Sequence, residues 1–319
     1  MRLARVLGWS RLAFGLQRWE LLILGGGTVA YIGLGWLVIM QLNAVRAAHP
    51  TCFNPEITSS CPAVAATWDT WYSLANRMSD AAWALPLVVG LVLGVPIVAR
   101  EIEHGTGLIA WSLARSRIRW LAGRLVPILA ATVVGLLTIG FVAQQVTHAA
   151  FPGTDTEASF LWYGRRGILV AVRGAAWLAV GLAVGAVVGR SLPALLLGAV
   201  LAIGLFVGAL STIEAWQSAA AVPATSLPAT GLVLDVRVRA PDGRLITFAE
   251  ADAEHVIPGD EFPGGQSPPG GYLLGQVVPI QIPGTDYGLW VARESAILGG
   301  VAMIFGLAAF AVVQRRRPS

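Results

Sequence analysis

The sequence predicts an all-α polytopic membrane protein with six transmembrane helices, both termini cytoplasmic, and a small extracytoplasmic β-containing insertion between the fifth and sixth helices. Three observations carry this reading. Only 13% of the 319 residues are charged and 55% are hydrophobic, whereas soluble domains are about 25% charged. Six apolar runs, 21–42, 81–99, 125–146, 167–189, 192–211 and 295–313, are long enough to cross a bilayer. About 20 residues at about 1.5 Å each match the ~30 Å of hydrocarbon. Finally, arginine is spread unevenly over the segments that join these runs.

Six spans place both ends on one side. The ends, the 100–124 connection and the turn at Arg190 together hold 13 Arg and only Glu20, Glu101 and Glu103. The other connections hold eight Arg and fifteen acids, and Arg173 falls inside a span. The positive-inside rule therefore puts the termini in the cytoplasm of a bacterial cell. Trp9, Trp19, Trp111 and Trp120 fall at the inner interface, and Trp68, Trp71, Trp83, Trp162, Trp216 and Trp290 at the outer one, as an aromatic belt requires. Orientation thus accounts for the pI near 9.6 and removes the reason to invoke nucleic acid. All 22 basic residues are Arg. Without lysine, neither a Schiff base nor a G-x-x-x-x-G-K-[ST] phosphate loop can be built.

In chain order, residues 1–19 mix Arg2, Arg5, Arg11 and Arg18 with Leu3, Val6, Leu7, Leu12, Phe14 and Leu16. That pattern reads as an interfacial amphipathic helix, with a disordered basic leader as the alternative. The first apolar run is too long for a signal peptide and reads as an uncleaved anchor. Residues 20–213 form spans one to five with the 100–124 loop, and 43–80 read as a polar outer loop. That loop carries Cys52 and Cys61. On an oxidising face they would form a local disulfide; free thiols, or metal ligands with His49 and His148, are the other readings. The second and fourth spans carry Gly90/Gly94 and Gly181/Gly185/Gly189, a spacing that lets helices approach closely within the chain or between subunits.

Residues 214–293 are too long for a connector. Leu234, Val236 and Val238 alternate with Asp235, Arg237 and Arg239. Pro241-Asp242-Gly243 then turns into Leu245–Phe248, which reads as a β-hairpin. The Pro/Gly-rich 257–271 run reads as irregular surface chain, and the apolar 272–282 run as a piece that dips back toward the membrane. The whole insertion is either a stabilising lid or a cap facing a substrate exit or partner. Residues 294–319 are the sixth span and a basic tail.

Arg173 is the one charge well inside a predicted span. In lipid it would cost a few kcal/mol, so it should face protein or water, or snorkel outward. Glu214 and Glu294, placed beside span ends, are its candidate partners, in a structural ion pair or along a substrate path. No H-E-x-x-H or G-x-S-x-G signature is present, so catalytic residues are not assigned.

The 100–124 island has further internal structure. Arg100-Glu101-Ile102-Glu103-His104 extends the second span, Gly105-Thr106-Gly107 breaks it, and 108–113 with Trp111 reads as a short apolar helix. An ordinary positive loop would need the arginines but not this acid pair and glycine break. The E-x-E-x-G-T turn at 101–106, followed by S-R-x-R-W-L-x-G-R at 116–124, resembles the cytoplasmic loop of ABC-transporter permeases of the type-2 export class. The resemblance implies that Glu101, Glu103, His104, Gly105, Thr106, Leu108 and Trp111 dock on a separate ABC ATPase subunit, present in two copies. It also implies a second permease copy or paralogue as partner, and ATP and Mg held by the ATPase, with no cofactor in this chain. The substrate expected is lipophilic or amphipathic: a drug, peptide antibiotic or lipid. The rival readings are a non-transporting assembly or sensor protein using the outer domain as receptor, and an intramembrane enzyme.

Overall fold

The computed structural model describes residues 18–53, 61–106, 116–224, 230–258 and 273–316. The expected interfacial helix at 1–19, but for its last two residues, and the short helix at 108–113 lie outside them, as does most of the 257–271 run. The chain folds as two units, a helical one and a smaller one built from 154–161 and 207–289.

In the helical unit, α1 is Arg18–Ala48, α2 is Pro62–Gly94 and α3 is Pro96–Glu103. They are followed by α4, Arg117–Ala150, and α5, Ile168–Val188. The long helices α6, Ser191–Ala220, and α8, Tyr287–Arg315, run on into the second unit. Counting α2 and α3 together, six helices among the described residues are long and apolar enough to cross a membrane, as the sequence predicts.

The helices outrun the predicted spans. α2 starts at Pro62, so 62–80 is helix and not polar loop. Its Trp68, Ala75, Met78 and Ala82 are buried at the three-to-four-residue spacing of one helix face. A hydropathy window averages that face with Asp69, Arg77 and Asp80 on the others, and so misses it. Proline sets the join to α3. Val95 keeps helical angles, but Pro96 has no N–H to donate, and the helix is interrupted there. α4 starts at Ser116, whose hydroxyl accepts from the Arg119 amide at 3.2 Å.

α5 is the central helix. Its most apolar stretch is 83% buried within the protein, against 17% for α6 and for α8. The two glycine stripes explain how α2 comes so close to it. A methyl group at Gly94 would strike the Leu178 carbonyl, and one at Gly185 the Val95 carbonyl. Backbone therefore packs on backbone, a contact that only glycine permits, and both stripes are used inside the chain.

The second unit holds a small sheet: β1 (Val222–Pro223), β2 (Leu232–Arg239), β3 (Leu245–Ile246), β4 (Val256–Pro258) and β5 (Leu273–Ile282). The strand order is β1-β5-β2-β3, with β4 parallel to β5. The predicted hairpin is present: Val238 pairs with Ile246, and Gly243 takes the positive φ of 90° that the turn needs. It ends two residues early, because Thr247 and Glu250 form a reciprocal capping box that opens α7, Phe248–Ala253. Of the apolar 272–282 run, Leu273–Ile282 form a strand. It is β5, paired along one edge with β2 and along the other with β1 and β4. Val238, Ala240, Ile246, Ala251 and Val256 form the core beneath. Since α6 reaches Ala220 and α8 begins at Tyr287, the predicted limits at 214 and 293 fall inside helices, and the β-containing segment is 222–282.

Candidate functional site

The end of the helical unit that carries Arg18 and Arg316 is where the 101–106 turn lies, and it is organised by side chains that satisfy helix ends. Glu101 is 9% exposed. Its Oε1 accepts from Arg124 Nη1 at 2.7 Å and its Oε2 from the Thr106 hydroxyl at 2.7 Å. Gly105, with φ 68°, reverses the chain so that Thr106 returns over that carboxylate. Arg124 lies over the ring of Trp120, 4.8 Å from its centroid, and Trp120 is itself buried. Glu101, expected on the docking surface, thus lies beneath the turn and presents little of its own surface. Burying a carboxylate requires a partner, and Arg124 and Thr106 together hold it inside.

Glu103 is exposed and accepts the Ser191 amide at 2.9 Å. The first N–H groups of a helix have no partner within it, so Glu103 caps α6 from across the bundle. His104, Gly105 and Thr106 are exposed, and His104 Nδ1 lies 2.7 Å from the Arg100 carbonyl. Arg100 forms a salt bridge with Glu20 of α1. Leu108 and Trp111 lie outside the described residues.

Two arginines at this end have roles that sequence reasoning missed. Arg117 Nη1 donates to the carbonyls of Gln314 at 3.1 Å and Arg316 at 2.6 Å, at the C-terminus of α8. Arg316 Nη1 donates to the carbonyls of Ala186 at 2.6 Å and Val187 at 3.3 Å, at the C-terminus of α5. A usable signal existed for Arg117. It opens a helix, where the macrodipole disfavours a cation unless something anionic faces it.

Away from this end, Arg173 of α5 pairs with Glu294 of α8. Arg173 Nε and Nη2 both donate to Glu294 Oε1, the former at 2.8 Å, and Nη1 donates to the Gly164 carbonyl at 2.7 Å. Both side chains are buried. In sequence Glu294 borders the 295–313 run. It lies two turns inside α8, because that helix begins at Tyr287. Gly164 has φ 73°, and a Cβ there would run into the guanidinium. Glu214 is exposed on α6. Buried Arg166, also missed, donates to Gln144 Oε1 at 2.8 Å.

Cys52 and Cys61 are joined in a disulfide. This removes the free-thiol reading, and the metal reading with it, since both sulfurs are bonded to each other. Among the described residues, no cluster of three or more His, Cys, Asp or Glu is placed to hold a metal. In the second unit, the Thr247 amide and hydroxyl hold the Glu250 carboxyl below its ordinary range. The Arg244 side chain does the same for Asp242.

Residues 25–213 match the family model described as ABC-2 membrane transporter related. Among curated proteins and among solved structures, none matches the chain.

Proposed function

The chain belongs to the ABC-2 membrane transporter related family, a polytopic transporter of the ABC-2 permease class, and from that premise we propose that it is the permease subunit of an ATP-driven exporter. Two copies of a separate ABC ATPase would power it, holding ATP and Mg, and a second permease copy or paralogue would complete the pathway. The observation that carries this reading is the family match, which spans the whole 100–124 island. The exposed turn of Glu103, His104, Gly105 and Thr106 supports a docking role for this end, with Leu108 and Trp111 completing the surface. The arginine count supports a cytoplasmic position for it and for both termini.

In the proposed mechanism, closure of the ATPase pair displaces this turn, and the helices that it braces reshape a cavity between permease halves. Arg173 and Glu294 are proposed as the structural pair holding α5 to α8 during that change. The apolar, sparsely charged walls of the spans support a lipophilic or amphipathic substrate such as a drug, peptide antibiotic or lipid.

The test is co-expression of the tagged chain with an ABC ATPase encoded beside it. The ATPase is expected to co-purify at one copy per permease chain. His104→Glu, which adds a negative charge to the exposed turn, should abolish that association while leaving the unfolding temperature of the permease unchanged. An association insensitive to His104→Glu and to Thr106→Arg would sink the docking assignment.

A further inference from the structure

We propose that Arg117 and Arg316 form a latch that makes the end of the last helix move as one body with the 101–106 turn, the start of α4 and the α5–α6 turn. The last four carbonyls of an α-helix have no partner within it, and the helix carries partial negative charge there. α5 and α8 both end at this side of the helical unit, so two sets of unpaired carbonyls meet.

Arg316 leaves the end of α8 and places its Nη1 on the Ala186 and Val187 carbonyls of α5. The same guanidinium lies over the Gly189 C-cap, where φ is 69°, and a Cβ there would meet both Arg316 and Ile102 of α3. Arg117 opens α4, where its own helix disfavours a cation, and it donates instead to the carbonyls that close α8. Each guanidinium therefore belongs to one helix and terminates another. Glu103 extends the set by capping α6 through Ser191. Glu103 thus ties the start of α6 to the exposed turn, Arg117 ties the start of α4 to the end of α8, and Arg316 ties the end of α8 to that of α5.

The tie points also differ in kind from packing. Hydrogen bonds to a charged guanidinium are directional and among the stronger ones in proteins. Arg presents them in a rigid fork. The apolar surfaces of α6 and α8 make little contact with the rest of the protein, being 17% buried over their most apolar stretches. For these two helices, polar end contacts are thus a large share of what ties them to the loop. Arg117 and Arg316 are positioning residues that act on helix movement. The part of the proposal concerning ATP-driven movement rests on the docking reading above.

The experiment uses the full chain in lipid nanodiscs, with and without the ATPase. Arg117→Gln is expected to speed amide hydrogen exchange in the last turn of α8 by roughly tenfold or more, as loss of a charged hydrogen bond implies. Arg316→Gln should act likewise at the Gly189 turn. Exchange at the Gly94 contact with α5 should stay unchanged, and Arg117→Lys, which keeps charge and one donor, should recover part of the protection. No local change overturns the latch; so does uniform acceleration throughout the unit, which would make both arginines ordinary fold contacts.

Coupled motion is read from spin labels at Val126→Cys on α4 and Leu307→Cys on α8. With ATP and vanadate, their distance should remain single and narrow in the otherwise unaltered chain and broaden in Arg117→Gln. Equally narrow distances in both would overturn the coupling. If no ATPase joins the unaltered chain, the docking reading falls, and the exchange result alone decides the latch.

Discussion

Among the described residues the helical unit contains two buried ion pairs, and they are wired in opposite senses. In Glu101–Arg124 the carboxylate is the saturated partner: one oxygen takes Arg124 and the other takes Thr106. In Arg173–Glu294 the guanidinium is saturated, with Nε and Nη2 on Glu294 and Nη1 on the Gly164 carbonyl. Glu294 Oε2, by contrast, is buried without a hydrogen-bond partner among the described residues. The difference shows which residue of each pair organises its surroundings. Glu101 holds a turn closed, whereas Arg173 holds two separate pieces of chain, α8 and the 164 turn, against α5.

The largest expected effect comes from breaking the Arg173–Glu294 pair. Arg173→Ala should destabilise the helical unit by roughly 3–5 kcal/mol, because it leaves a buried carboxylate uncompensated. It should exceed Glu294→Ala by about 1 kcal/mol, the share of the Gly164 hydrogen bond that only the arginine makes. The double change Arg173→Met with Glu294→Leu should recover most of the loss, since buried pairs exchanged for apolar groups are often neutral. Thermal unfolding in nanodiscs reads all three, and a double change as damaging as either single one would contradict the account.

At the other pair the order should invert. Glu101→Ala strands both Arg124 and Thr106 and should cost about 1 kcal/mol more than Arg124→Ala, which leaves Glu101 one donor. Equal losses would erase the contrast between the pairs. Thr106→Val isolates the smaller component, at about 1 kcal/mol.

An exposed carboxylate gives the comparison its lower bound. Thr247→Ala removes the α7 capping box and should cost the second unit about 1 kcal/mol. Glu250 is held below its ordinary range by Thr247. Its contribution is therefore present above the unfolded-state carboxylate pKa and is lost as pH falls through the lower folded-state one. Unfolding of the second unit, followed by near-ultraviolet dichroism, should shift to lower temperature as pH drops below about 5, and Glu250→Gln should shallow that slope. Asp242, depressed by Arg244, should sustain the remainder. A pH-independent transition would refute this.

The six spans and the insertion between the last two were legible because burying twenty backbone units in hydrocarbon requires an apolar run that no other demand imitates. Helix extensions outside the hydrocarbon obey no such rule. Residues 62–80 carry Trp68, Ala75 and Met78 on one face and charges on the others, so they looked polar. Glu294 borders the 295–313 run in sequence yet lies within α8 for the same reason, since the helix begins eight residues before that run. In the candidate site, the acids at 101 and 103 were visible as an oddity of the loop, but their directions were not. Whether a carboxylate points inward depends on Arg124, 23 residues away, and on the glycine that returns Thr106. Arg117 and Arg316, nearly 200 residues apart, were counted among the charges that set orientation. Their pairing with helix ends depends on which helices end together, and no local pattern encodes that.

The Cys52–Cys61 bond carries a consequence for biogenesis. It lies between α1 and α2, so under the orientation proposed from the arginine count the first helical pair would have to be threaded through the membrane before the bond could close in an oxidising compartment. A newly made chain should thus exist first as a dithiol and then as a bridged form, and the step between them timestamps delivery of this loop. Alkylation at intervals after pulse labelling would turn that covalent change into a clock for membrane insertion, independent of any transport assay.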